Sequence, residues 1–599
     1  MFDINGCSIG RIVGINAGRL TTKQLSADSR LITIENNWVI NNYSDNLSVL
    51  KDDETVLVCS QDTAHHDSIE LWLTSHFPKV KLIKLAKGMH FEQNGNTFSV
   101  NLMDESSITM LFEKLGQNIP DYMIWISEDG KSASNEMWQN AYEILDREII
   151  SFHHLLQVWY KFKKGSKRVL TVFESRALYR PFYEMYSGFN RTIRQENPNT
   201  ICSTLQIEGS LSDYISELFQ ELKQADFESK LNVDGRSINE YLVKNIIDPI
   251  DETNTIRKKG VYLVCGGLGG IGIKLCQYLL KEYDAKLIVA GRSSLENIQG
   301  KLTDLGLSFE DYVCCDFTNM NEVEHLYYNI KSRFTILNGV FFLPGIIQDE
   351  YLYLKSTANF RNVVSTKVNG VLNVDHVTRF EPLDFFCAFS SLSSLYGNEG
   401  QGDYSSANSF LNSFANHRNN VKKTGGRHGK TLALAWPLWN DGMQVGNDMK
   451  DHFLSKTGMQ PLDTHERFSV METLLSQKEG MVGIFKGNIN HFNKIPKTKI
   501  DRSSFINIEL NSDRLFEEHA LQLISSIFSE AVGLNVSQID TEANFEMFGL
   551  NSLIVATLNE AFELKFGSLS RTLFFEYFNL TELTNYFIEN HQNKLEQLL

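Results

Sequence analysis

The residues best placed to move a proton lie in "FSSLSSLYGNEGQGDYSSANSF" (Phe389–Phe410), where Tyr404 follows Ser391 by 13 positions and precedes Asn408 by four. A free tyrosine has a pKa of about 10, so giving its proton to a developing alkoxide is favourable. A serine hydroxyl can hydrogen-bond a carbonyl oxygen as charge grows on it. A nearby ammonium would draw the tyrosine pKa down and assist proton relay. The position four residues after Tyr404 offers an amide, Asn408. The candidate cation lies upstream, at Lys367 in "STKVNGVLNV", on an expected helix.

Such groups need a bound reactant, and "YLVCGGLGGIGIKLCQYLL" supplies the signature of one. It reads as strand, glycine-rich turn and helix, with Gly266, Gly270 and Gly272 in a G-x-x-x-G-x-G pattern. The whole turn, Gly266, Gly267, Leu268, Gly269, Gly270, Ile271 and Gly272, is expected to bring backbone N–H groups and a helix N-terminus against a diphosphate. The next strand, "KLIVAGRSS", lacks the acidic residue that would hold a ribose 2′-hydroxyl. It ends instead in Arg292, with Ser293 and Ser294. A guanidinium and hydroxyls suit a 2′-phosphate, which favours NADPH. Asp316 and Phe317 close a third strand; Asp316 either meets the adenine or is an ordinary loop aspartate.

The elements around these residues divide the chain into three. Residues 1–240 alternate short apolar runs such as "TVLVCSQ", "VKLIKLA", "YMIWIS" and "RVLTVFES" with helical stretches, which predicts a parallel α/β sheet. The loop after its first run, "CSQDTAHHDS", has no glycine, so no nucleotide site is expected there. Residues 241–500 restart the alternation with glycines. A linker is expected at 501–514, and an acidic, amphipathic helical unit at 515–595. The fold class is therefore α/β, with two Rossmann-like subdomains followed by a small helical bundle.

Composition is that of a globular protein, 42% hydrophobic and 22% charged over 599 residues. A net charge of −16 argues against nucleic acid as a partner. No apolar run approaches a membrane span and the N-terminus carries no leader pattern, so a cytoplasmic protein without a membrane partner is expected. The eight cysteines show no metal spacing and read as reduced core thiols; no metal is expected.

The central region resembles the ketoreductase domains of modular polyketide synthases, a branch of the short-chain dehydrogenase/reductases. The likeness rests on "GVYLVCGGLGGIG", "STKVNGVLN", "FSSLSSLYGNEGQGDYSSANSFL" and "LAWPLWNDGM". In that branch the catalytic Lys and Asn are exchanged relative to the common arrangement, which matches Lys367 and Asn408. The resemblance implies catalytic roles for Ser391, Tyr404, Lys367 and Asn408. "YSGFNRTIRQENPN" (Tyr186–Asn199) extends it to the first region, which resembles the family's non-catalytic structural subdomain. Cys265 stands where the family usually has Thr, and "FFLPG" replaces "HAAG", though Gly345 is kept. Members giving a D-configured alcohol carry L-D-D after the fourth strand; here Ile347, Gln348 and Asp349 keep the last Asp. The opposite class carries Trp where this chain has Tyr396.

The C-terminal unit resembles an acyl carrier protein, which implies 4′-phosphopantetheine on Ser552, with Asn551 in place of the usual Asp. The implied reaction is reduction of a carrier-bound β-ketoacyl thioester. Two other readings use the same residues: an α-ketoacyl reductase of a mixed peptide–polyketide line, or a catalytically silent scaffold that docks carriers. No ketosynthase, acyltransferase or thioesterase region is recognised. Implied partners are acyl thioester intermediates, a ketosynthase, an acyltransferase and a phosphopantetheinyl transferase.

Overall fold

The structure is a computed structural model that describes residues 29–41, 43, 50–129, 137, 139–224, 226–245, 255–440, 457–488, 514–533, 539–545 and 552–598. Cys7, Asn551 and nearly all of the expected linker lie outside the described residues.

Short β-branched runs form the buried strands, as their composition dictates. In chain order the strands of the first half are β1 (Ser29–Ile40), β2 (Thr55–Cys59), β3 (Lys81–Lys87), the exposed β4 (Glu92–Asn94), β5 (Thr97–Val100), β6 (Tyr122–Ser127), β7 (Lys167–Glu174), β8 (Thr200–Ile207), β9 (Glu228–Asn232) and β10 (Gly235–Asn245). The strands β5, β3, β2, β6, β7 and β8 lie side by side and parallel, with β4 antiparallel at the outer edge. This is the doubly wound order, with the chain reversing direction across the sheet at β2.

The second half repeats it with β11 (Val261–Cys265), β12 (Lys286–Gly291), β13 (Tyr312–Cys314), β14 (Gly339–Phe342), β15 (Phe385–Ser391), β16 (Lys430–Trp436) and β17 (Gly480–Asn488). Their spatial order is β13, β12, β11, β14, β15, β16, β17, all parallel.

Two antiparallel strands weld the halves. β9 leads into β10, β10 pairs with β1, and β1 pairs with β17, giving one sheet of 17 strands among the described residues. β10 runs straight through position 240, where the sequence reading divides the halves. Ile32 and Ile34 of β1 are buried against Leu392, Leu395 and Phe485 of the second half. Thr33 between them is buried too, and the sequence reading passed over this mixed run.

Cys59, Cys202, Cys265, Cys276, Cys315 and Cys387 are buried and unbridged, whereas Cys314 is exposed and is not a core thiol. The C-terminal unit packs the helices Arg514–Val532, Ser552–Phe566, Leu573–Glu576 and Leu580–Leu598 around Phe528, Phe545, Phe562, Phe574 and Phe587. Each such ring contributes about 1.5–3 kcal/mol by leaving water. No helix among the described residues is long and apolar enough to cross a membrane.

Candidate active site

The glycine turn follows β11 and opens the helix Gly270–Tyr283. Gly266 has φ +74°, a left-handed conformation that a side chain would strain. A Cβ on Gly272 would lie 2.4 Å from the Gly266 carbonyl oxygen and 2.6 Å from Gly267 Cα. The turn is therefore folded onto the helix start as closely as backbone allows. That leaves a cradle of the shape a diphosphate needs, at the C-terminal ends of parallel strands. Arg292, Ser293 and Ser294 are exposed just past β12. Asp316 is less free: one carboxylate oxygen takes the Thr318 N–H (2.9 Å) and hydroxyl (2.8 Å). Phe317 is buried beneath it, edge-on to Phe342.

Lys367 sits on the helix Thr357–Val377 and Tyr404 on the helix Gly402–Lys423. The two side chains converge at Gly345, an exposed position beyond β14. A Cβ there would meet Lys367 Nζ at 3.4 Å and Tyr404 Cε2 at 3.7 Å. Lys367 Nζ lies 5.5 Å from the Tyr404 ring centroid and donates to the Phe389 carbonyl at 3.0 Å. It is buried, and desolvation lowers its pKa to about 7. Burial likewise raises the Tyr404 pKa above the ordinary phenol value, opposed in part by a hydrogen bond from Asn408. Asn408 Nδ2 also donates to the Tyr404 carbonyl at 2.8 Å, while its Oδ1 is buried with no protein partner. Ser391 ends β15, and its Oγ accepts the Ser393 N–H at 3.2 Å.

Several positioning residues escaped the sequence reading. Lys355 and Asp403 form an ion pair at 2.9 Å, with 2% and 1% of their side chains exposed. Lys355 also donates to the Gln348 carbonyl, and Asp403 accepts the Tyr404 N–H at 2.8 Å. The pair ties the loop of Ile347–Asp349 to the first turn of the tyrosine helix. Asp349 in turn accepts from Gln401 at 3.0 Å. Glu196 is a second clamp: its two carboxylate oxygens take the Leu352 N–H (2.8 Å) and the Gly400 N–H (2.9 Å). Burial pushes its pKa up to about 8.

Glu196 ends the helix Met185–Glu196, formed by the "YSGFNRTIRQ" run. Gly188 of that helix packs so closely on the tyrosine helix that a Cβ would lie 2.5 Å from the Ser405 carbonyl oxygen. The first half thus braces the tyrosine helix of the second. Tyr396 is buried edge-on to Tyr241, away from open solvent. Elsewhere Asp62, His65 and Glu128 bring ligand-type atoms within 4.8 Å of one another, a grouping that residue spacing alone did not suggest. Ser552 opens the helix Ser552–Phe566; its side chain lies outside the described residues.

Comparison with known proteins agrees with this architecture. The family model for the KR domain matches residues 260–441, and that for a phosphopantetheine attachment site matches 522–587. A third, described as beta-ketoacyl synthase-like, N-terminal, matches 54–224. Both cysteines of that stretch, Cys59 and Cys202, are fully buried with thiols pushed up to about 12, so it presents no reactive thiolate. Polyketide synthase PksL of Bacillus subtilis is 29% identical over 443 residues, covering 69% of this chain and 10% of the relative. The chain spans about a tenth of the length of the curated relatives it matches. Among solved structures, an N-terminal ketoreductase from the macrolactin assembly line superposes with TM-score 0.66 at 23% identity, over 80% of this chain and 96% of that one. A ketoreductase domain from the bacillaene assembly line gives 0.57 at 22%, over 78% and 99%. These structures share the fold. The matched models and relatives support a ketoreductase domain and a phosphopantetheine-bearing carrier domain of the kind found in modular polyketide synthases.

Proposed function

We propose that the chain reduces a β-ketoacyl thioester, held on a phosphopantetheine arm at Ser552, to a D-configured β-hydroxyacyl thioester with NADPH. The observation that carries this is the convergence of Lys367 and Tyr404 on Gly345, beside the end of β15 and next to Pro344, whose backbone N packs on Gly266 of the glycine turn. NADPH, when bound, supplies the hydride. Gly266–Gly272 would hold its diphosphate, Arg292 and Ser293 its 2′-phosphate, and Asp316 and Phe317 would lie near its adenine. Tyr404 gives its proton to the ketone oxygen, Ser391 donates a hydrogen bond to that oxygen, and Lys367 and Asn408 support proton return. Asp349, held by Gln401, favours the D face. We divide the chain into a structural half (1–240), a reductase half (241–500), a linker (501–514) and a carrier (515–595). The reading places it in the cytoplasm, working with ketosynthase, acyltransferase and phosphopantetheinyl transferase partners.

The deciding experiment is NADPH oxidation with a β-ketoacyl thioester, with an α-ketoacyl thioester in parallel and chiral analysis of the product. Turnover of the α-keto substrate alone would replace this reading. Two further results are expected. A phosphopantetheinyl transferase adds one arm to the wild type by mass and none to Ser552→Ala; a gain that persists in the variant would move the site. Arg292→Ala weakens NADPH about 10–100-fold and leaves NADH within about twofold, since a charged hydrogen bond is worth about 1.5–3 kcal/mol. Equal loss for both nucleotides would refute the 2′-phosphate role.

A further inference from the structure

The carrier segment Ser570–Glu582 lies against the first α/β half through contacts that are too specific for a freely tethered domain. At its centre Asn197, 1% exposed, donates from Nδ2 to Thr572 Oγ1 and to Glu576 Oε1, both at 2.8 Å. Lys167, fully buried in the first half, stands 3.8 Å from Glu576 Oε2. A carboxylate out of water needs such partners, and the first half supplies an amide and a cation at the right places. Beside this knot the Arg571 N–H donates to the Glu196 carbonyl at 2.6 Å. From the adjoining second half, the Tyr353 ring stacks on Phe575, with centroids 4.8 Å apart. At the rim, Lys164 Nζ pairs with Glu582 at 2.6 Å and lies 5.1 Å from the Tyr577 ring centroid.

We propose that Ser570–Glu582 is a docking face and that its partner is the first α/β half of the same chain. The carrier then has a fixed station on the reductase. All the carrier residues named follow the helix Ser552–Phe566 in the chain. The station also abuts the reductase machinery. Glu196 offers its carbonyl to the carrier and its carboxylate to Leu352 and Gly400, on the loops beside Asp349 and Gln401. The inference rests on the carrier assignment and not on the chemistry at Tyr404, and its test reads contact rather than turnover.

The test is carbodiimide coupling of the full chain, which joins an amine to a carboxylate only when they touch. An equal mixture of 14N- and 15N-labelled chains is used, with cross-linked peptides read by mass spectrometry. The expected product is Lys164–Glu582 within one chain. Lys161–Glu105, paired at 2.5 Å inside the first half, serves as the fold control. Glu576→Lys, which sets like charge against Lys167, should reduce the Lys164–Glu582 product at least about tenfold and spare the control. Asn197→Asp, which alters the opposite side of the interface, should do the same and guards against a carrier that merely unfolds. Three results would overturn the station: no Lys164–Glu582 product while the control forms, equal yields in wild type and both variants, or light–heavy products making up about half of the total, the random share for links between chains.

Discussion

Tyr404→Phe is expected to lower turnover of a β-ketoacyl thioester about 10²–10⁴-fold, the range that one positioned proton donor supplies. The substitution removes a hydroxyl and keeps the ring that lies beside Lys367 and Gly345. The fold and the glycine cradle are therefore unchanged, and NADPH affinity should stay within about twofold. The contrast between the two readouts carries the argument: a group that acts on developing charge affects the rate, not the binding of the nucleotide. The check is a pair of measurements on one preparation, NADPH titration by fluorescence and initial rates of NADPH oxidation. Turnover within about tenfold of wild type would remove Tyr404 from the proton-transfer step. A parallel loss of NADPH binding would point to a damaged cleft instead.

Lys367→Met should abolish most activity and at the same time stabilise the protein. The sign follows from linkage. Burial depresses the Lys367 pKa from the ordinary 10.5 to about 7. Between those values the unfolded chain binds the proton and the folded chain does not, so stability from this site rises with pH across that window. It is lost as pH falls from about 10.5 to about 7, and the burden is greatest below about 7. Methionine fills similar space without charge. Lys367→Met should accordingly raise Tm at pH 6–7 and leave it nearly unchanged near pH 10.5, while turnover falls about 10²-fold or more. Thermal unfolding across that pH range checks the first part, and initial rates check the second. A Tm that falls at pH 6–7 would show that the amine is held by partners strong enough to outweigh its burial. The combination, more stable and less active, is the mark of a group kept for chemistry at the expense of the fold.

Much of the site was legible along the chain because its chemistry is local. Gly266 and Gly272 sit in one turn whose backbone path only glycine permits. Ser391, Tyr404 and Asn408 share one strand–helix segment, and their spacing places them at one sheet end. The β-branched runs of both halves became parallel strands because a strand buried on both faces must be apolar throughout. Lys367 was only a candidate cation until the resemblance implied its role, since nothing in spacing links a residue on the helix Thr357–Val377 to a tyrosine on another helix.

What the chain could not display are the groups whose meaning depends on a distant partner. Glu196 reads as an ordinary acid at a helix end until Leu352 and Gly400 arrive at its two oxygens. Lys355 and Asp403 are unremarkable charges until burial leaves each the other's counterion. β1 was passed over because its apolar residues are interspersed with Thr33, Glu35, Asn36 and Asn37, and its value lies in joining β10 to β17. Composition and local pattern thus determined the two α/β halves, the glycine turn and the candidate segment that carries Ser391, Tyr404 and Asn408. Long-range packing alone decided that the halves share one sheet, that the helix Met185–Glu196 braces the tyrosine helix, and that the carrier rests against Asn197. Those contacts join positions far apart in sequence, where only closure of the fold brings desolvated charges to their partners.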